Sequence, residues 1–125
     1  FMRGAKYKNV YMDLHLYHYR DEYALDITSP RGLTTAISRN KRELKEAMAT
    51  GFPVQVGEWS GAAIFANSSV TPEGRNAYER VFIANQLASF APAAGWFFQT
   101  WKTEKRIAAW DARAALGTLE RGMIE

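Results

Sequence analysis

The 125-residue sequence has no cysteine. That removes disulfides, thiolate metal sites and cysteine nucleophiles. It has no apolar run of the length a bilayer-spanning helix needs, about 20 residues. No signal-peptide pattern is read at its start. The opening Phe1-Met2 carries no initiating context, as expected of a segment of a longer chain. Neither a GxGxxG nor a GxxxxGK[ST] stretch occurs, so nucleotide binding has no support. No long block of one charge sign exists either. The densest basic cluster, Arg39-Asn40-Lys41-Arg42, is followed at once by Glu43 and Glu46. That pattern reads as the solvated face of a helix rather than a nucleic-acid patch. The two histidines, His15 and His18, stand three apart without clustered carboxylates. No metal or other cofactor is expected from them.

What remains is a globular balance: 47% hydrophobic and 23% charged residues, with a formal net charge of +3. Aromatic residues reach 14%, including four Trp and six Tyr. Such side chains have an apolar body and a polar tip, so they serve either a core or a wet binding cleft. Three segments have strand character: 9–17 (NVYMDLHLY), 53–58 (PVQVGE) and 95–101 (GWFFQTW). Each is short, rich in β-branched or aromatic residues and bounded by turn formers. Helical periodicity over 34–50 puts Ile37, Leu44 and Met48 on one face, and Gly51 stops that helix. Thr71-Pro72-Glu73 starts a second helix, with Thr as N-cap and Pro at the first helical position. It runs to about Phe90, with Ala77, Val81, Ala84 and Ala88 on one face and Pro92 beyond its end. Asp111 caps a last helix continuing to about Arg121, where Gly122 stops it.

The order βαβαβα implies a parallel sheet with right-handed crossovers. It suits half of a doubly wound domain, or three of the eight units of a TIM barrel, which needs about 250 residues to close. In either case ligands bind at the carboxyl edge of the strands. Five polar or amphipathic residues fall there: His15 and Tyr17, Glu58, and Gln99 and Trp101. Glu58 ends the apolar stretch Val54-Gln55-Val56-Gly57. A carboxylate in that position needs partners. A structural carboxylate, paired with an Arg or capping a helix, would satisfy the same pattern. His18 is expected on a loop surface, and Asp13 as a buried structural carboxylate. Trp96-Phe97-Phe98 is expected in the core. Asn67-Ser68-Ser69 is a glycosylation sequon.

The stretches MDLHLYHY, VGEWSGA and GWFFQTWKTE, in this order and spacing, together with NQLASF and the tail residues Trp110 and Leu119-Glu120-Arg121-Gly122, resemble the end of the exo-1,3-β-glucanase branch of glycoside hydrolase family 5, in the cellulase superfamily. The resemblance covers nearly the whole chain. It implies that residues 1–125 form a single partial domain, the C-terminal three βα units of a TIM (β/α)8 barrel. It further implies retaining hydrolysis of a β-glucan oligo- or polysaccharide, with Glu58 in GEWS as the nucleophile. His15 and Tyr17 match the His-x-Tyr pattern that contacts the sugar and the nucleophile. Trp59, Gln99 and Trp101 complete the substrate-binding set. The Phe-Trp-x-Trp platform of this branch reads here Phe98-Gln99-Thr100-Trp101, so Gln99 replaces the first Trp. The parent is expected outside the cell or at the cell wall, with no metal and no cofactor.

A retaining glycosidase needs two carboxyl groups about 5–5.5 Å apart. The family's acid/base sits in an Asn-Glu-Pro motif, and this sequence contains no Asn-Glu dipeptide. Asp21, Glu22, Asp26 and Glu104 lie in loops and match no acid/base position. The remaining N-terminal part of the barrel would supply it. A β-1,4- or β-1,6-glucanase, or a carbohydrate-binding relic that has lost its chemistry, fits the same residues. An unrelated small α/β domain is the third reading. Three strands alone leave two sheet edges unpaired. The isolated 125-residue chain is therefore predicted to hydrolyse no glucan and to aggregate unless complemented; robust hydrolysis by the purified chain would contradict this.

Overall fold

The structure is a computed structural model that describes residues 7–19, 26–65 and 70–117. Strand β1 spans Met12–His18, helix α1 Pro30–Met48, strand β2 Val54–Ala63, helix α2 Pro72–Phe90 and strand β3 Gly95–Phe98. A 3-10 turn at Ala108–Trp110 then leads into helix α3, Ala112–Leu116. The strands form one parallel sheet in the order β1-β2-β3. This is the α/β architecture expected, consistent with part of an α/β barrel.

Local chemistry accounts for the boundaries. Ser29 caps α1 by accepting from the Gly32 N–H at 3.0 Å, and Pro30 occupies the first turn. The helix thus starts four residues earlier than its apolar periodicity implied. Thr71 caps α2 in the same way through the Gly74 N–H at 3.1 Å. Gly51 follows α1 with φ of +83°, a conformation glycine adopts without a Cβ penalty. Strand β3 ends at Phe98 because the chain then leaves the ladder. The Thr100 N–H donates to the Trp110 carbonyl at 2.8 Å, and the Ala112 N–H to the Thr100 carbonyl at 2.9 Å. The expected strand through Trp101 is therefore cut short. Strand β2 instead runs five residues past Glu58. Its pairing with β1 is interrupted by register shifts, the first of which leaves Gly57 unpaired between Val56 and Glu58.

Side chains alternate across a strand, and the core follows that alternation. Leu16 on β1, with Val54, Val56 and Trp59 on β2, lies against Leu44 and Ala47 of α1 and Ile83, Leu87 and Phe90 of α2. Met12, Leu14, Trp96 and Phe98 pack around them. Both long helices thus cover one face of the sheet, as they do in a barrel wall. Trp59 is the centre of this core. It is fully buried and meets Phe90, Trp96 and Phe98 edge-to-face, with centroids 5.2, 5.5 and 4.8 Å away.

The α2 expectation needs correction. Ala77 and Ala88 are exposed and Val81 is 49% exposed, whereas Phe82, Ile83, Leu87 and Phe90 face inward. Burying large side chains removes more apolar surface from water than burying alanines, so they set the helix's rotation. Phe97 also departs from the expected core: it is 60% exposed, on the face opposite Trp96 and Phe98. The last helix ends at Leu116 with Gly117 as its C-cap, short of the expected Arg121, and residues 118–121 lie outside the described residues. The same holds for Asn67-Ser68-Ser69.

These burials make a sharp contrast between two tryptophans. Trp59→Ala is predicted to cost about 3–5 kcal/mol of stability, as large aromatic truncations in cores do. Trp101→Ala, at a 70% exposed position, is predicted to stay within about 0.5 kcal/mol. Urea unfolding midpoints of the two variants, made in the full-length protein, check the pair.

Candidate active site

The face of the sheet away from the helices carries the candidate residues. Asp13, His15 and Tyr17 alternate along β1, and Gln55 and Glu58 stand opposite on β2, where His15 pairs with Glu58 and Asp13 with Gln55. The unpaired Gly57 produces this alignment. Without the extra residue, strict alternation from Val56 would turn position 58 inward and position 59 outward.

Glu58 is held from β1. The Tyr17 hydroxyl donates to Glu58 Oε2 at 2.9 Å. His15 Nδ1 lies 3.6 Å from the same oxygen, and His15 Nε2 lies 3.4 Å from Asp13 Oδ2. The Gln55 amide donates to Asp13 Oδ1 at 3.3 Å. The side chains of His15, Asp13 and Glu58 are 52%, 45% and 41% exposed. Solvent screens such contacts, so they orient groups more than they stabilise the fold. Asp13 is thus an exposed member of the cluster and not the buried structural carboxylate expected of it. The Tyr17 ring is fixed from behind. It lies 5.7 Å from the Trp110 ring and 5.3 Å from Tyr19, and Tyr19 meets Trp110 at 4.9 Å. The sequence marked Trp110 only as part of the tail. Its distance from Tyr17 along the chain hid this packing.

The structure brings His15, Tyr17 and Glu58 together. Gln99 comes beside β2 next to Glu58 through its backbone, donating to the Trp59 carbonyl at 2.8 Å. Trp101 stands exposed two residues further on. Trp59 is the exception among the expected substrate-binding residues: the alternation that sends Glu58 out sends Trp59 into the core, where it is fully buried. Of the loop acids, Asp26 is engaged in a turn, accepting from the Thr28 N–H at 3.0 Å and the Thr28 hydroxyl at 2.6 Å. Glu104 is exposed, and Asp21 and Glu22 lie outside the described residues.

The chain is similar to a protein of Aspergillus niger named "Probable glucan 1,3-beta-glucosidase A". The two are 30% identical over 136 aligned residues, which take in 83% of this chain. The aligned region makes up 31% of that relative, so the chain spans about a third of the protein it matches. No family model matches the chain. Among the described residues no helix is long and apolar enough to cross a membrane.

Two buried ionisable groups brace the site's surroundings. His18, expected on a loop surface, is 2% exposed. It is the next residue on the helix-facing side of β1 after Leu16, so it points into the interior. There Nε2 meets Asn40 Oδ1 at 2.9 Å and the ring stacks edge-on against Phe82 at 5.4 Å. Burial lowers the His18 pKa, with help from Arg39, against the opposing pull of the Asn40 hydrogen bond and Glu43. Asp111, the cap of α3, is 1% exposed. Burial pushes its pKa up, but the Thr103 and Ala114 N–H groups, at 3.1 and 3.3 Å, and the Arg113 guanidinium outweigh this and leave it lowered. Asp111 thereby ties the segment after Trp101 to the start of α3.

The sign of the His18 effect follows from linkage. Its native pKa lies below the unfolded value, so between the two the unfolded chain binds a proton that the native state does not. The stability it contributes is full above pH 6.5 and is lost as pH falls below that ordinary value. Denaturation midpoints of the native sequence are expected to decline between pH 7 and 5. The decline should flatten in His18→Gln, which keeps a partner for Asn40 and cannot titrate there. Equal slopes in the two proteins would assign the decline to other groups.

Proposed function

We propose that this chain carries the nucleophile-bearing part of a retaining β-glucan hydrolase of glycoside hydrolase family 5, exo-1,3-β-glucanase branch. The observation that carries the reading is the Tyr17–Glu58 hydrogen bond, with His15 beside it, on the face of the parallel sheet turned away from the helices. In this reading Glu58 is ionised and attacks the anomeric carbon, forming a covalent glycosyl-enzyme. Tyr17 donates to Glu58 and holds the attacking oxygen in place. A second carboxyl group, contributed by strands outside this chain, protonates the leaving oxygen and then activates water. Trp101 and Phe97 are exposed aromatic surfaces on which an apolar sugar face can stack. The whole enzyme closes the barrel around this wall and acts outside the cell or at the cell wall. The similarity to the Aspergillus niger protein supports a 1,3-linked glucan as substrate.

A second reading, a sugar-binding descendant without chemistry, is favoured by one position. Gln99 stands where the resemblance places the first platform Trp, and an amide gives a sugar less stacking surface. Hydrolysis of laminarin by the full-length protein separates the two. The full-length protein is expected to release β-glucose, followed by NMR of the product anomers. Glu58→Gln is expected to lower kcat by roughly 10³-fold or more, as loss of a nucleophile does. Binding of laminarin without turnover would replace this reading by the second.

A further inference from the structure

We propose that Asp13 is a positioning residue that fixes the His15 imidazole against Glu58, and that Gly57 is a glycine because the Asp13 carboxylate occupies the space of its side chain. The proposal rests on the reading of Glu58 as the nucleophile. It concerns a residue two positions before His15, on the same open face of β1.

Among the described residues His15 has little else to hold it. Its side chain is 52% exposed, and its contact with Glu58 is 3.6 Å long. A ring attached by one loose contact can rotate into solvent among its staggered rotamers. The second contact, Nε2 to Asp13 Oδ2 at 3.4 Å, lies on the opposite side of the ring. Together the two define the ring plane. They also place a carboxylate near each ring nitrogen. Asp13 is in turn held from across the sheet by the Gln55 amide at 3.3 Å.

Gly57 supplies the independent observation. A Cβ built at this position would collide with the Asp13 carboxylate, whose oxygens and carbon are the nearest atoms to it. Its φ is not in the left-handed region, so backbone conformation does not demand glycine here. Close approach of a neighbouring group is what remains. A cross-strand Asp–Gln pair kept only for stability would contribute only modestly. Glycine in a strand interior costs about as much relative to alanine. Stability alone thus leaves the arrangement unexplained, whereas orientation of His15 accounts for Asp13, Gln55 and Gly57 together.

The test uses the full-length protein labelled with 15N-histidine, with the His15 signals assigned by their loss in His15→Gln. Asp13→Ala is expected to shift the His15 Nε2 resonance toward that of a freely exposed ring. Asp13→Asn, which keeps an acceptor oxygen, is expected to restore part of the shift. Gly57→Ala, which leaves Asp13 in the sequence but displaces its carboxylate, is expected to reproduce the Asp13→Ala spectrum. In laminarin hydrolysis, Asp13→Ala is expected to lower kcat/KM about tenfold, because it misplaces His15, which the resemblance puts in contact with both sugar and nucleophile. An Nε2 resonance unmoved in Asp13→Ala overturns the proposal, even where glucan hydrolysis is intact. A shifted resonance in a protein that cleaves no glucan overturns the hydrolase reading and upholds the positioning.

Discussion

The burial of Trp59 is the constraint on which the rest of the site depends. Trp59 and Glu58 are neighbours on one strand, so whatever sends one inward sends the other outward. The indole sits among Phe90, Trp96 and Phe98, and no rearrangement of β2 could expose it without emptying the core. A weak polar site with half-exposed members is thereby held in register by a strong apolar one. The contacts of Glu58 with Tyr17 and His15 need only choose a rotamer, because the strand has already chosen the face. The division is economical: packing supplies the energy and hydrogen bonds supply the aim.

The same division appears at the margins. Tyr17 reaches Glu58 with its hydroxyl, while its ring is stacked with Tyr19 and Trp110. Trp110 is itself placed by the backbone pairing of Thr100 with Trp110 and Ala112 and by the Asp111 cap. Thus the segment after β3, which looks irregular, is tied down at both ends. It meets the end of the first strand through the contacts of Trp110 with Tyr17 and Tyr19, whereas β3 itself joins β2 through a ladder.

Much of this was legible in the sequence. The three strands, their parallel order and the second helix could be read from β-branched runs and from Thr71-Pro72. The convergence of Glu58 with His15 and Tyr17 followed from reading them on neighbouring parallel strands, although Glu58 lies midway along β2 and not at its end. What escaped had physical causes. The bulge at Gly57 breaks the period of two, so alternation counted from Val56 could not tell which way Trp59 would point. The face of α2 departs from its alanine periodicity because buried area favours Phe82 and Phe90 over Ala77 and Ala88. His18 reads as a surface residue by type, yet it sits one alternation beyond Leu16, where position outranks polarity. Trp110 lies 93 positions beyond Tyr17, a separation at which no local pattern carries information.

The bond between Tyr17 and Glu58 closes a loop of 41 residues that contains the whole of α1. Parallel strands cannot meet through a tight turn, so the two side chains can be neighbours only after the intervening helix has been laid against the sheet. Contacts of such sequence separation form slowly, because the entropy of closing the loop is spent before any pairing rewards it. The Glu58 carboxylate therefore acquires its partner late in the chain's folding history. A molecule in which that hydroxyl has found that carboxylate is one whose crossover is already complete, and the arrangement of a single oxygen pair becomes a record of whether the surrounding wall was built in the right order.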